Sequence, residues 1–344
     1  MGATIMDTPE GPARAGAKAS APGKVILFGE HAVVYGEPAI AVALSLRTEV
    51  TIRETQGDRV HRVNGAPMNQ HHHAYIKDAV DHLWKGGFLD VRTESRLPSA
   101  SGLGSSAALS VATTGALLQL QDRFSEEMVV SPDTTYPHRL GEELVAREAY
   151  NAEWSAQKGR GSPTDTSTST HGRAIMVDAE KGPGYLWDIA RGERRWYLHH
   201  LDIPPLTLVV GYTGQRGRTA DEVAKVGRFV KRGAFARDIM RDLGKVTREA
   251  RVLMEDREKM ALGLCMDEAH NLLTVLGVST AKLDALCDAA REHAYGAKLT
   301  GSGGGGSMIA LTDTPDACAK AIAKRGGYPT VVNLGGPGVS AHSI

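Results

Sequence analysis

The chain has 344 residues, 42% of them hydrophobic, so it can bury a full core and its length favours two domains over one. The 40 Lys and Arg balance the 40 Asp and Glu and are spread along the chain rather than blocked, so nothing points to a nucleic-acid or anionic-membrane partner. Three cysteines, Cys265, Cys287 and Cys318, stand in odd number at no metal-ligand spacing, as expected of inert thiols in the cytoplasm.

Residues 1–18 carry Asp7, Pro9, Glu10 and Arg14 in place of a signal peptide's apolar stretch and read as a flexible tail. No apolar run reaches the roughly 18 residues of a membrane span. Strands at 24–28 and 37–46 flank the turn GEHAVVYG, and 46–54 alternates as a half-exposed strand does. The spacing of Ala74, Ile76, Ala79, Val80, Leu83 and Trp84 predicts a helix over 72–85, followed by an extended segment at 88–95. Residues 107–120 are apolar on nearly every face, which predicts a helix buried in the centre of its domain. An amphipathic helix over 138–154 carries Glu142, Glu143, Glu148 and Glu153. The hydroxyl-rich QKGRGSPTDTSTSTHGR that follows reads as a long polar loop, a place where function tends to sit, before a strand at 174–177. The pattern restarts with a strand at 206–212 and helices over 218–231, 235–254, 259–275 and 280–293. Strands at 297–300 and 307–312, a helix at 315–324 and a strand at 330–334 complete the chain, which divides into domains at 195/196.

Two glycine-rich stretches carry the chemistry. In LPSASGLGSSAA, at 97–108, Gly102 and Gly104 let the backbone turn where a Cβ would clash, so that several N–H groups can face one anion. A helix opening near Ser105 adds the positive end of its dipole, and the Ser105 and Ser106 hydroxyls stand where a phosphate oxygen or its metal would lie. The plainer alternative is an ordinary helix cap at Ser105 or Ser106. In KLTGSGGGGSMIAL the run 301–306 is either a tight hairpin or a second grip on the same nucleotide. A dinucleotide fingerprint does not fit: Arg96, Pro98, Ser99 and Ser101 precede Gly102 where an apolar strand is required, and Asp122 closes a helix. No GxxxxGK followed by Ser or Thr occurs, so ATP would be bound without a P-loop. The tract His71 to His73 is set aside as a metal site, because adjacent helix residues point in different directions.

With SAPGKVILFGEHAVVYG at 20–36, PSASGLGSSAA and KLTGSGGGGSMIAL in that order, the chain resembles the GHMP kinases over roughly residues 18 to 340. Within that family, the run Gly29, Glu30, His31, Ala32, Val33 and Val34 is similar to motif one of the mevalonate kinase branch, and SPTDTSTST to its archaeal acid loop. The resemblance implies an α/β, two-domain fold, with a first domain like ribosomal protein S5 domain 2 over 19–195 and a ferredoxin-like second domain over 196–344. It implies ATP-dependent, magnesium-requiring phosphorylation of the C5 hydroxyl of mevalonate, with a homodimer as the common assembly. Another small-molecule acceptor, or a silent ligand sensor on the same fold, are the alternatives.

Carried over residue by residue, the resemblance makes Asp165 the acceptor of the alcohol's proton and Lys24 the cation that stabilises the developing alkoxide. A turn-forming role for Asp165 and a solubility role for Lys24 are the plainer readings. Pro98, Ser101, Gly102, Leu103, Gly104, Ser105, Ser106 and Ala107 would bind ATP, and Ser106 and Glu153 would hold magnesium, with Glu148 as the alternative carboxylate. Glu30, His31, Thr219, Gly301 and Ser302 join Lys24 and Asp165 on the mevalonate side. His31 would act there either as an imidazolium or as a neutral donor.

Overall fold

The computed structural model describes residues 15–56, 59–98, 102–129, 136–157, 162–192 and 194–344. The first half contains β1 (Gly16–Phe28), β2 (Ala39–Thr55), β3 (Arg62–Val63), β4 (Ala66–Pro67), α1 (Gln70–Leu83), β5 (Phe88–Ser95) and α2 (Ser105–Leu120). It continues through β6 (Met128–Val129), β7 (His138–Arg139), α3 (Glu142–Ala156), α4 (Pro163–His171), β8 (Ala174–Asp178), β9 (Tyr185–Arg191) and β10 (Arg194–Leu201). The second half is β11 (Thr207–Tyr212), α5 (Thr219–Arg232), α6 (Ala234–Glu255), α7 (Lys259–Val275), α8 (Ala281–Arg291), β12 (Gly296–Thr300), β13 (Ser307–Leu311), α9 (Pro315–Lys324), β14 (Tyr328–Asn333) and β15 (Ser340–Ser343).

The long strand β2 organises the first sheet. It pairs with β1 along one edge and with β5 and β8 on the other, in the order β4-β3-β5-β2-β8-β10-β9, with β15 closing on β1. The second sheet has the order β12-β13-β11-β14, all antiparallel, with helices α5 to α8 in the first crossover and α9 in the second. That is the ferredoxin-like βαββαβ arrangement expected of this half. Helix α2 is buried along its length, from Ala107 to Leu118, between β1 and helices α1, α3 and α4. The apolar core runs on between the halves, where Val25, Phe28, Ile40 and Leu44 join one cluster with Leu206, Val209, Met240 and Leu334.

Several elements depart from the sequence reading. The hydroxyl-rich loop is in fact helix α4, with Pro163 in its first turn. Thr, Ser and Asp are weak helix formers, yet Thr164, Thr166, Ser167, Thr168, Ser169 and Thr170 are all buried. The Thr168 and Thr170 hydroxyls donate to the carbonyls of Thr164 and Thr166 at 2.7 and 2.8 Å, so the helix satisfies part of its own polarity while small side chains let it approach α2 and α3 closely. Strand β1 begins at Gly16, inside the tail expected over 1–18, because Ala17 pairs with both Ile52 and Ser343 and buries its side chain. Residues 1–14 lie outside the described residues.

Helix α3 starts at Glu142 behind Gly141, whose φ of +83° ends the preceding turn, rather than at 138. Strands β9 and β10 were not expected. β10 belongs to the first sheet, so the chain passes to the second sheet between Leu201 and Thr207, later than 195/196, and β15 returns to the first.

That return is tight. A Cβ built on Gly338 would lie 2.0 Å from the Thr170 carbonyl oxygen, so the segment before β15 lies directly on the end of α4. Gly338→Ala is expected to lower stability by about 1–3 kcal/mol, read from urea denaturation, because the contact is backbone to backbone and cannot give by a rotamer change.

Candidate active site

Three segments converge on Lys24. The β1–β2 register shifts between Pro22 and Lys24, and this irregularity at Gly23 re-aims the lysine. The Lys24 N–H donates to the Leu103 carbonyl at 2.9 Å, which ties the first glycine loop to β1. Gly104 caps α2 at φ +73°, with room only for hydrogen on that side, since a Cβ would come within 2.8 Å of Lys24 Cγ. The cap is therefore Gly104 and not a serine: Ser105, Ser106 and Ala107 form the first helical turn, whose N–H groups have no acceptor within the helix. Leu103 and Ala107 bury their side chains, Gly102 faces open space, and Pro98 is exposed ahead of the loop. Ser101 lies outside the described residues.

Lys24, itself buried, makes an ion pair with Asp165, Nζ to Oδ2 at 3.0 Å. Asp165 stands in the first turn of α4, where the helix dipole favours its negative charge. Its other oxygen, Oδ1, is buried without a protein partner. Beside it, Glu153 reaches in from α3 and is 1% exposed; its Oε1 accepts from the Ser106 hydroxyl at 3.0 Å and from Gln157 Nε2 at 2.8 Å, while Oε2 has no partner. Burial, reinforced by the neighbouring Asp165 carboxylate, pushes Glu153 up to about 8. Two buried, unpartnered carboxylate oxygens next to a hydroxyl fit a hard divalent cation that takes its remaining ligands from water and phosphate. Among the described residues no group of three or more His, Cys, Asp and Glu side chains could hold a metal by itself. Glu148 points elsewhere, toward His82 Nε2 at 3.1 Å across the α1–α3 groove. His71 to His73 lie at the start of α1, where Asn69 caps the His72 N–H at 2.9 Å and its own N–H bonds His73 Nδ1.

The acceptor side is built by motif one and the second glycine loop. Ala32 N–H donates to the Glu30 carbonyl at 2.7 Å, while His31 sits at φ 62°, ψ −42°. This is a γ-turn with positive φ, and an L residue held in it costs about 1–3 kcal/mol. His31 Nε2 lies 3.1 Å from the Ser302 carbonyl. A carbonyl only accepts, so Nε2 carries the hydrogen; burial lowers the ring's proton affinity and favours the neutral form, which leaves Nδ1 as an acceptor. Of the two roles the sequence left open for His31, the environment favours the uncharged ring. Ser302 Oγ also donates to the Thr219 hydroxyl at 3.2 Å, which brings Thr219, Ser302 and His31 together beside Gly301.

Glu30, next to His31, is 2% exposed and its Oε1 is bonded to Lys298 Nζ, with Oε2 unpartnered, so its carboxylate is held by the second sheet. Burial pushes the Glu30 carboxyl up and the Lys298 ammonium down, each opposed by the charge of the other. In the second loop, the Gly304 and Gly306 N–H groups bond the carbonyls of Val278 and Gln215 at 2.8 and 2.7 Å, so these two amides hold the loop and do not face a ligand.

Family models match residues 74–173, the GHMP kinases N terminal domain, and 250–327, the GHMP kinases C terminal. A mevalonate kinase of Pyrococcus abyssi is 33% identical over 95% of this chain and 98% of its own length. The chain is a GHMP kinase. A mevalonate kinase of Methanothermobacter thermautotrophicus is 35% identical over 85% of this chain and 89% of its own. Among solved structures, L. major mevalonate kinase in complex with R-mevalonate superposes with a TM-score of 0.74 at 25% identity, over 92% of this chain and 95% of that one.

The GHMP kinase site contains three side chains that the sequence reading did not single out. Gln157, one helical turn beyond Glu153, could have been found from the i,i+4 spacing. The Tyr75 hydroxyl, on α1, faces Ser106 and Gln157, and burial with the Glu153 carboxylate pushes it above the usual phenol range. Lys298 stands inside the quoted KLTGSGGGG motif but carries no local sign of its partner.

The protonation of Glu153 has a sign that can be tested. Its folded-state value, about 8, lies above the ordinary 4.5, so the folded chain holds this proton more tightly than the unfolded chain. The stability it contributes is fully present below pH 4.5 and is lost as pH rises through about 8. Thermal unfolding in a chelator is expected to show this decline across that window, and Glu153→Gln to flatten it; an unchanged slope would remove Glu153 as its source.

Proposed function

We propose that this chain is a mevalonate kinase, transferring the γ-phosphoryl group of ATP to the C5 hydroxyl of mevalonate to give 5-phosphomevalonate and ADP. The observation that carries the chemistry is the Lys24–Asp165 pair at 3.0 Å, set beside the first glycine loop and leaving Asp165 Oδ1 unpartnered. Phosphoryl transfer asks the protein mainly for position and charge neutralisation. In this reading the acceptor oxygen lies against Asp165 Oδ1 and Lys24 Nζ. As its bond to the γ-phosphorus forms and the bond to the β-bridging oxygen breaks, the hydroxyl proton passes to Asp165. Lys24 stabilises the alkoxide character that develops on the way.

The first turn of α2, from Ser105 to Ala107, offers its N–H groups to the phosphates. Ser106 and Glu153 would hold magnesium, which when bound neutralises charge on the transferring phosphate. On the acceptor side the neutral His31 ring, Thr219 and the loop at Gly301 and Ser302 recognise the rest of mevalonate, with Glu30 acting through its pairing with Lys298. No helix among the described residues is long and apolar enough to cross a membrane. We place the protein in the cytoplasm, in keeping with three buried free thiols.

Purified protein given ATP with mevalonate, 5-phosphomevalonate, homoserine or galactose is expected to phosphorylate mevalonate by far the fastest; preference for another acceptor would overturn the substrate reading. Asp165→Ala is expected to lose about 10²–10⁴-fold in kcat while retaining ATP affinity by calorimetry. Turnover at the wild-type rate would take Asp165 out of the mechanism.

A further inference from the structure

The turn at His31 is strained, and its own segment does little to hold it. Within motif one, besides the 2.7 Å bond that closes the γ-turn, Val33 N–H reaches the Gly29 carbonyl and Val34 N–H the His31 carbonyl, each at a long 3.2 Å. The stronger restraints come from the other half of the chain. Lys298 Nζ donates to Glu30 Oε1 and, at 2.8 Å, to the Leu299 carbonyl; the Thr300 hydroxyl donates to the Ile26 carbonyl at 2.8 Å; and the Ser302 carbonyl accepts from His31. Lys298 and Thr300 are two residues apart on β12 and so share one face of the strand, which is turned toward the end of β1. The strand and its loop grip motif one at Ile26 in β1, at the strained residue's neighbour Glu30, and at the His31 ring itself.

We propose that Lys298 is a positioning residue, holding Glu30 and thereby the positive-φ turn that presents the His31 imidazole to the acceptor. The inference rests on the reading of His31 as an acceptor-side residue. Lys298 does not touch the reacting groups; it acts through Glu30. Its side chain is 0% exposed, and that of Glu30 1%. Removing two charges from water so completely is costly, and a well-packed apolar pair of the same volume is often at least as stable, so stability alone does not account for a lysine here. What an apolar pair cannot supply is direction. An ammonium anchored on its own strand's carbonyl fixes one carboxylate oxygen in space, and with it the peptide that enters the His31 turn. A residue held away from its relaxed backbone conformation needs such over-determination from its surroundings. The same contact makes the geometry of motif one depend on the docking of the second sheet.

The test separates positioning from bulk stability. Lys298→Met is expected to raise KM for mevalonate about tenfold or more while leaving KM for ATP within about twofold, at temperatures well below its unfolding midpoint, and Lys298→Arg to recover part of that loss. Equal shifts in both KM values, or a lowered melting temperature with an unchanged acceptor KM, would overturn the proposal. If Lys298→Met alone does not fold, the double variant Lys298→Met, Glu30→Gln leaves no lone buried charge. In either protein the His31 ring ¹⁵N resonances are expected to move from their wild-type positions, and unmoved resonances would overturn the proposal. Failure of the acceptor-side reading is distinguishable: His31→Ala would then keep the wild-type mevalonate KM, while the ring resonances would still respond to Lys298.

Discussion

The 3.0 Å ion pair between Lys24 and Asp165 is the joint on which the rest of the site depends. A lysine buried at an irregularity in β1 and an aspartate in the first turn of a helix must meet from two separate segments. Each needs its element placed to within a fraction of an ångström to leave one carboxylate oxygen free. The architecture around the pair serves that requirement. The Leu103 carbonyl ties the glycine loop to the lysine's own backbone, and α2 packs along its whole length against the strand that carries it. The return segment before β15 presses on the end of α4. The glycine loop, through the Leu103 carbonyl, and the Asp165 carboxylate are thus anchored to the same residue, the surfaces that in the proposed reading would bind phosphate and take the proton.

Around this pair the site gathers negative charge in a nearly dry place. The Asp165 carboxylate disfavours ionisation of Glu153, and Lys24, the Ser106 hydroxyl and Gln157 offset that repulsion in part. Two buried carboxylate oxygens without protein partners, Asp165 Oδ1 and Glu153 Oε2, cost stability. The cost becomes intelligible if, as proposed, these oxygens receive a divalent cation and the proton of the acceptor alcohol. Stability is given up where charge must be received.

The acceptor side is arranged on a different principle. Motif one belongs to the first sheet in sequence, but its geometry is held by side chains of β12 and by the loop that follows. The apolar core is likewise continuous across the two halves, with Val25 and Phe28 in one cluster with Leu206 and Met240. The acceptor side is thus a shared product of two sheets joined by one continuous core, rather than of either half alone.

Much of this was legible in the chain itself, and for local reasons. Glycines at 102 and 104 before a run of small apolar residues specify a turn into a buried helix, because sterics and patterning act over a few residues. The periodicities of α1, α7 and α9 and of β5 were read almost to the residue, since each exposes one face and buries another. The site motifs resembled a known family strongly enough to name Lys24, Ser106, Glu153 and Asp165, and these four meet. What local rules could not reach was decided by packing. A Thr- and Ser-rich stretch became helix α4 because small buried side chains fit against α2 and α3 and bond back to their own backbone, against their intrinsic preference. Glu30 turned to Lys298 because two residues far apart in sequence were brought face to face where water is excluded. Sequence by itself determined the turns and the periodic helices, because these follow from the chemistry of neighbouring residues. Tertiary structure alone decided which carboxylate oxygens are free, which histidine form is favoured and what holds the strained turn, because burial and long-range pairing exist only once the chain has folded.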